Sequence, residues 1–470
     1  MKHSKRIAAA LIATAFVATA CGSDSKSDES SSGSAASTGS AASTGGSSSA
    51  ESLLSGAIKC EQQYKGKQVH IFSPVRDSDT DKAATRLLDA YAPLEACTGV
   101  DVVFDGTDQF ETQVKVKFDG GNPPDIVDFP QPGGFLDLIA KGQLKPFTDT
   151  LANSVKTDNV AGWPELATVD GKVYGVPSRA NVKSMVWYSP AMFKAKGYEI
   201  PQTLDELIAL SDKMAADGSG ASPWCVGIES GVATGWPITD WFEDNMMRLN
   251  GAETYDKWVK HEIPFNDPAV KKVADFVGSI VKNPKYIAGG EDGVKAIATT
   301  KFQEGGFPIL DGKCYMHKQA SFYSTIWAKG TTIGPDGQVN YFYYPPAKAG
   351  DPKYMLGGGD LLGAGTDKPE TFDTLLYTNS LDYAYALVAA GDTSLSPLKA
   401  FDTAKFADPV TRGFADMLKN SEIFRFDGAD MMPAAIGSGA FWQEATKWIT
   451  GEDSTDDMLN NIEKAWAALG

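Results

Sequence analysis

The chain is poor in the residues that catalysis and metal binding usually draw on. It has four histidines in 470 residues, and His70, His261 and His317 share no metal-ligand spacing. Beyond the N-terminal region there is no G-x-S-x-G, H-E-x-x-H, Walker A or G-x-G-x-x-G motif. The usual local signs of hydrolases, zinc proteases and cofactor- or nucleotide-binding enzymes are therefore missing, and no cofactor is expected. Basic residues are in deficit, 43 against 60 acidic, for a formal charge of −17. That balance argues against nucleic acid and against a basic patch for anionic lipid. After the first 20 residues no apolar run approaches the length of a membrane span. A glycosidase needs only two carboxylates, which no local motif marks, so that class stays open as an alternative.

What is present begins at the N-terminus. Lys2, Lys5 and Arg6 precede an apolar stretch from Ile7 to Val17, and Ala18-Thr19-Ala20 stands directly before Cys21. This reads as a lipoprotein signal, residues 1–20, with Cys21 as the lipid-bearing new N-terminus. The chain is expected on the extracellular face of the cell membrane, anchored there through Cys21. Residues 21–55 are almost entirely Ser, Gly, Ala and Thr and cannot bury enough apolar surface to fold. As a flexible coil they would span roughly 30 Å.

The remaining stretch of about 410 residues is too long for one core and suggests two lobes. Gln68 to Phe72, Val100 to Phe104 and Asp125 to Phe129 read as strands, and Thr80 to Ala96 and Gln109 to Phe118 as helices. This β-α-β alternation predicts an α/β fold, its sheets mainly parallel and flanked by helices, with ligand loops at the carboxyl ends of the strands. Thr203 to Glu206 forms a capping box that opens a helix, and Gly218 offers its stop. With Cys21 lipidated, Cys60, Cys97, Cys225 and Cys314 allow three pairings in an oxidising compartment. Cys60–Cys97 with Cys225–Cys314 is favoured, because each bond then staples one half of the chain and leaves the halves free to move.

Aromatic residues recur beside glycine and small polar residues, as in Thr234-Gly235-Trp236-Pro237, Ala320-Ser321-Phe322-Tyr323 and Gly437-Ser438-Gly439-Ala440-Phe441-Trp442. An aromatic face can cover the C–H patch of a pyranose while nearby polar groups bond its hydroxyls. Four segments, Asn122 to Val127, Lys172 to Pro177, Leu356 to Leu361 and Met432 to Trp442, occur in an order that resembles the extracellular solute-binding proteins of carbohydrate ABC importers, in particular the α-glucoside-binding branch related to maltodextrin-binding proteins. The resemblance covers residues 60 to 470. It implies a non-enzymatic, monomeric receptor for α-linked di- or oligosaccharides that delivers them to a membrane permease. It also implies two lobes, 60–178 with about 345–390 and 179–344 with about 391–470, around a hinge cleft. Ser73, Arg76, Asp77, Asp108, Gln109, Phe129 and Gln131 would form one wall. Lys183, Trp236, Asp240, Ser321 and Phe322 would form the other, with Trp442 stacked on a ring and Gly358, Gly359 and Asp360 close to its hydroxyls. The segment Ser178 to Asn181 is where relatives vary, which leaves the contacts nearest the hinge open.

Overall fold

Alternating apolar residues build two sheets, each covered on both faces. In the first, Ile71 and Ile126 enter one core while their neighbours Phe72 and Val127 enter another on the opposite face. In the second, Val186 packs to one side, and Met185 and Trp187 to the other. The computed structural model describes residues 52–53, 56–78 and 81–469, which fall within one compact unit. The leader, Cys21 and most of the linker lie outside the described residues.

The first sheet comprises β1 (Gln68–Ser73), β2 (Asp101–Gly106), β3 (Ile126–Phe129) and β4 (Gly175–Val182), together with β9 (Tyr354–Ala364) and β10 (Ile423–Phe426). Their order is β10-β9-β3-β1-β2, with β4 also paired to β9. The second sheet comprises β5 (Met185–Tyr188), β6 (Ser222–Trp224), β7 (Cys314–Lys318) and β8 (Asn340–Tyr343), in the order β6-β7-β5-β8. The chain passes between the sheets from β4 to β5 and returns from β8 to β9. Parallel pairing holds for β1 with β2 and β3, but β9 runs antiparallel to both β3 and β4. In the second sheet β5 is antiparallel to both of its neighbours. The local β-α-β pattern could not show this, because these pairings are made by strands distant in sequence.

Local expectations also shift in detail. The helix expected over Thr80 to Ala96 is two helices, Ala83–Asp89 and Ala92–Thr98, broken just ahead of Pro93, which sits at the start of the second. Thr203 caps the helix Leu204–Ala215 as expected, but Glu206 reaches back to the amide of Gln202, one residue beyond a capping box. That helix ends at Ala215, three residues before Gly218. Cys60 pairs with Cys97 and Cys225 with Cys314, with Cα separations of 4.3 and 5.9 Å, and each bond lies beside a different sheet. No helix among the described residues is long and apolar enough to cross a membrane.

Candidate ligand-binding cleft

The register of β9 opens a gap in the first sheet. On one edge β10 pairs with β9 as far as Gly357, and β3 takes up that edge again at Leu361. Gly358, Gly359 and Asp360 lie between these two strand ends, and across the other edge they face Asn181, Ala180 and Arg179 of β4. A cavity of about 290 Å³ opens here. It is lined by the loops that follow β1, β3 and β10 and by aromatic residues of the second sheet's side. Loops at carboxyl ends of strands are where an open α/β sheet offers its binding groups.

Two buried ion-pair clusters form the floor. Arg179 reaches Asp360 at 2.9 Å and Asp128 at 3.4 Å. Lys183, one residue past β4, reaches Asp240 at 3.0 Å and Asp427 at 2.5 Å. Glu243 is fully buried beside the second cluster and accepts the backbone N–H groups of Gly428 and Ala429, both at 3.0 Å, which fixes the turn that carries Asp427 and Asp430. Burial pushes the Asp360 carboxyl up to about 7, with Asp128 and Asp392 adding to the effect and Arg179 opposing it. Burial likewise opposes the charge on Lys183, but Asp240 and Asp427 outweigh it. Asp240, Glu243 and Asp427 are close enough to hold a cation, yet the Lys183 ammonium already fills that role for two of them.

The aromatic wall is Trp236 with Phe302 at 5.0 Å and Phe322 at 6.0 Å between ring centroids, and Lys183 lies 5.4 Å above Trp236. Trp442 follows a π-helical stretch, Ile436–Phe441, a distortion frequent at functional sites. It lines the cavity but is only 2% exposed, and its indole N–H has no hydrogen-bond partner.

Of the residues expected at the site, Arg76, Gln131, Lys183, Trp236, Phe322, Gly358, Gly359, Asp360 and Trp442 line this cavity. Seven do not, because the fold uses them elsewhere. The Ser73 hydroxyl donates to Asp128 at 2.8 Å within the sheet, and Phe129 packs edge-on to Phe110 and Phe135 in the core. Asp77 accepts from the amide and hydroxyl of Thr85. Asp108 pairs with Arg76 at 3.5 Å, and Gln109 is exposed just before the helix Phe110–Asp119. Asp240 neutralises Lys183 from behind the cavity surface. Ser321 exchanges hydrogen bonds with the backbone of Val182, tying the two sheets together. Gly359 is needed for packing, since a Cβ there would meet the Arg179 carbonyl at 2.2 Å and the Trp163 ring at 2.6 Å.

The sequence profile of the family described as bacterial extracellular solute-binding protein matches residues 77–307. The alpha-glucosides-binding periplasmic protein AglE of Rhizobium meliloti is 37% identical over 86% of this chain and 88% of its own length. The osmoprotective compounds-binding protein GgtB of Synechocystis is 39% identical over 80% of this chain and 88% of its own. This chain belongs to the bacterial extracellular solute-binding proteins. Among solved structures, a chitin oligosaccharide binding protein superposes with a TM-score of 0.72 at 19% identity, covering 85% of this chain and 98% of its own. Maltose-bound MalE3 of T. maritima superposes at 0.66 and 16% identity, over 86% and 100%. The fold is thus that of two-lobe binding proteins, and as a solute-binding protein the chain is a receptor. The glycosidase alternative falls with that membership.

The sequence reading missed several cleft residues of this solute-binding protein: Asp81, Arg86, Glu111, Arg179, Asp392, Asp427 and Asp430. Asp427 had a usable signal, since it directly follows the strand pattern Ile423 to Phe426 at the carboxyl end where ligand loops sit. Arg179 lies in the segment left open as variable. Glu111 gives no such signal, because an acidic residue in a first helical turn is ordinary.

Proposed function

We propose that this protein is the substrate-binding lipoprotein of an ABC importer, capturing small α-linked glucosides such as those of maltose, trehalose or sucrose type and handing them to a membrane permease. Cys21 carries the lipid, residues 22–55 form the tether, and the mature chain works as a monomer. Its lobes follow the expected bounds, 60–178 with about 345–390 and 179–344 with about 391–470, except that β4 through Val182 and β10 go with the first sheet's lobe, and they close on cargo and open at the permease. The observation that carries this reading is the cleft itself: an aromatic wall of Trp236, Phe302 and Phe322 faces the polar groups of Gln131, Arg179, Asn181 and Asp360. Such a pairing of apolar faces with buried hydrogen-bonding groups suits a sugar ring. The α-glucoside relative supports the cargo class.

A second reading, a smaller polyhydroxylated osmoprotectant, is favoured by the relative named for osmoprotective compounds. A thermal-shift panel of α-linked disaccharides, longer maltooligosaccharides, polyols and glycosylated polyols separates the two. Cargo at 100 times its Kd stabilises the fold by about 2.7 kcal/mol. A shift with polyols and none with disaccharides would replace the first reading by the second. Release of a Cys21→Ala variant into the medium would support the anchor, and retention on the membrane would refute it.

A further inference from the structure

We propose that the cleft is a charge filter, in which Glu111 and Asp430 accept hydrogen bonds from neutral hydroxyl-bearing cargo and bar cargo that carries a phosphate or carboxylate. The inference rests on the sugar-binding reading above and narrows it.

All four cations on the cavity wall already face carboxylates. Arg179 and Lys183 are held in the two buried clusters, and Arg86 reaches Asp81 at 2.6 Å and Asp392 at 3.9 Å. Arg76, nearer solvent, pairs with Asp108 at 3.5 Å. Glu111 and Asp430 face no cation within ion-pair distance among the described residues. Gln131 spends its amide N–H on Glu111 Oε1 at 3.3 Å, and its own Oε1, on a side chain only 6% exposed, has no partner. The Oδ1 of Asn181 is likewise buried without one. Against these waiting acceptors the same wall offers two unpartnered buried donors, the Trp442 indole N–H and Arg86 Nε, and the second already lies 3.9 Å from the Asp392 carboxylate.

A buried acceptor left unmade is costly, so cargo that fits must bring hydrogens. Hydroxyl groups do so. A phosphate dianion or a carboxylate brings none, and it would lie in the field of the Asp427 carboxylate at low dielectric. Burial beside Asp427 pushes the Asp430 carboxyl toward its protonated form, and that proton can equally serve a ligand hydroxyl oxygen. It does not create an anion site, because the Asp427 carboxylate stands directly behind it, with its Oδ1 accepting the Asp430 amide at 2.8 Å.

The test is calorimetry on the full chain with maltose, trehalose and sucrose, each beside its monoester phosphorylated at a primary hydroxyl. The filter predicts that whichever parent sugar binds, its phosphate ester binds about 100-fold more weakly or not at all. In Glu111→Gln and Asp430→Asn, folded by their melting temperatures, the gap should narrow by about tenfold in at least one variant. These changes remove the ionisable group and keep shape. An ester that binds as well as its parent would overturn the filter. So would a gap that neither variant moves, since exclusion would then be steric. Absence of binding by all three parent sugars, with wild-type protein folded, would instead overturn the sugar-binding reading and the filter with it.

Discussion

Two cations four residues apart anchor the same cleft in different ways. Arg179 lies within β4, and its partners come from the same sheet: Asp360 is its direct cross-strand neighbour on β9 and Asp128 lies on β3. Lys183 lies where the chain leaves that sheet, and its partners come from the helix Trp236–Asn250 and from the turn after β10. The first cluster is set by sheet register, the second by the packing of separate elements. A ligand that moves the two sides of the cleft would therefore strain the Lys183 cluster first and leave the Arg179 cluster intact.

That contrast can be broken by removing each cation. Lys183→Met leaves Asp240 and Asp427 buried without their counter-ion, with Glu243 and Asp430 beside them, and should cost about 3 to 5 kcal/mol in urea denaturation. Arg179→Met strands only Asp360 and Asp128 and should cost less. Adding Asp427→Asn to Lys183→Met should restore part of the loss. Equal losses for the two cations, or no recovery in the double variant, would mean the clusters do not differ as described.

Titration sharpens the same division. His317 on β7 is fully buried with Nδ1 3.0 Å from the Cys225 carbonyl, and burial lowers its pKa to about 4. Because this lies below the ordinary imidazole value, its contribution is complete above about pH 6.5 and is lost as pH falls toward 4. His317→Asn should therefore flatten the acid side of the stability curve, by about 3 kcal/mol between pH 7 and pH 4. Asp360 in the first sheet works in the opposite sense, since its raised pKa makes its contribution grow as pH falls through 7. Stability measured against pH for the wild type, His317→Asn and Asp360→Asn separates the two.

The disulfides give a smaller contrast. Their sequence separations are 37 and 89 residues, so by loop entropy the loss of Cys225–Cys314 should cost about 0.8 kcal/mol more than the loss of Cys60–Cys97. Paired Cys→Ser variants in urea measure this. A larger cost for the shorter loop would show that native packing, not chain entropy, decides.

How much of this was legible depended on distance along the chain. Strands such as Gln68–Ser73 and Ile126–Phe129, and the Thr203 cap, follow from local pattern and were readable to within a residue or two. Trp236, Lys183 and Gln131 were reached through motif resemblance and do line the cleft. Phe129 and Ser73 were assigned to the cleft through the same resemblance, yet alternation turns Phe129 into the core, and the Ser73 hydroxyl is spent on Asp128 within the sheet. Arg179, Asp427 and Asp430 depend on which strands meet at β9, and that pairing joins segments separated by up to about 240 residues, beyond any local period.

The central claim is that cargo sits where β3 and β10 stop against β9. A crystal structure of the protein with the α-glucoside that gives the largest thermal shift tests it directly. The account predicts a sugar ring covering Trp236 or Trp442, with hydroxyls donating to Gln131, Glu111 or Asp430. Sugar bound elsewhere with this cleft empty, or seated here without contact to either indole, would contradict it.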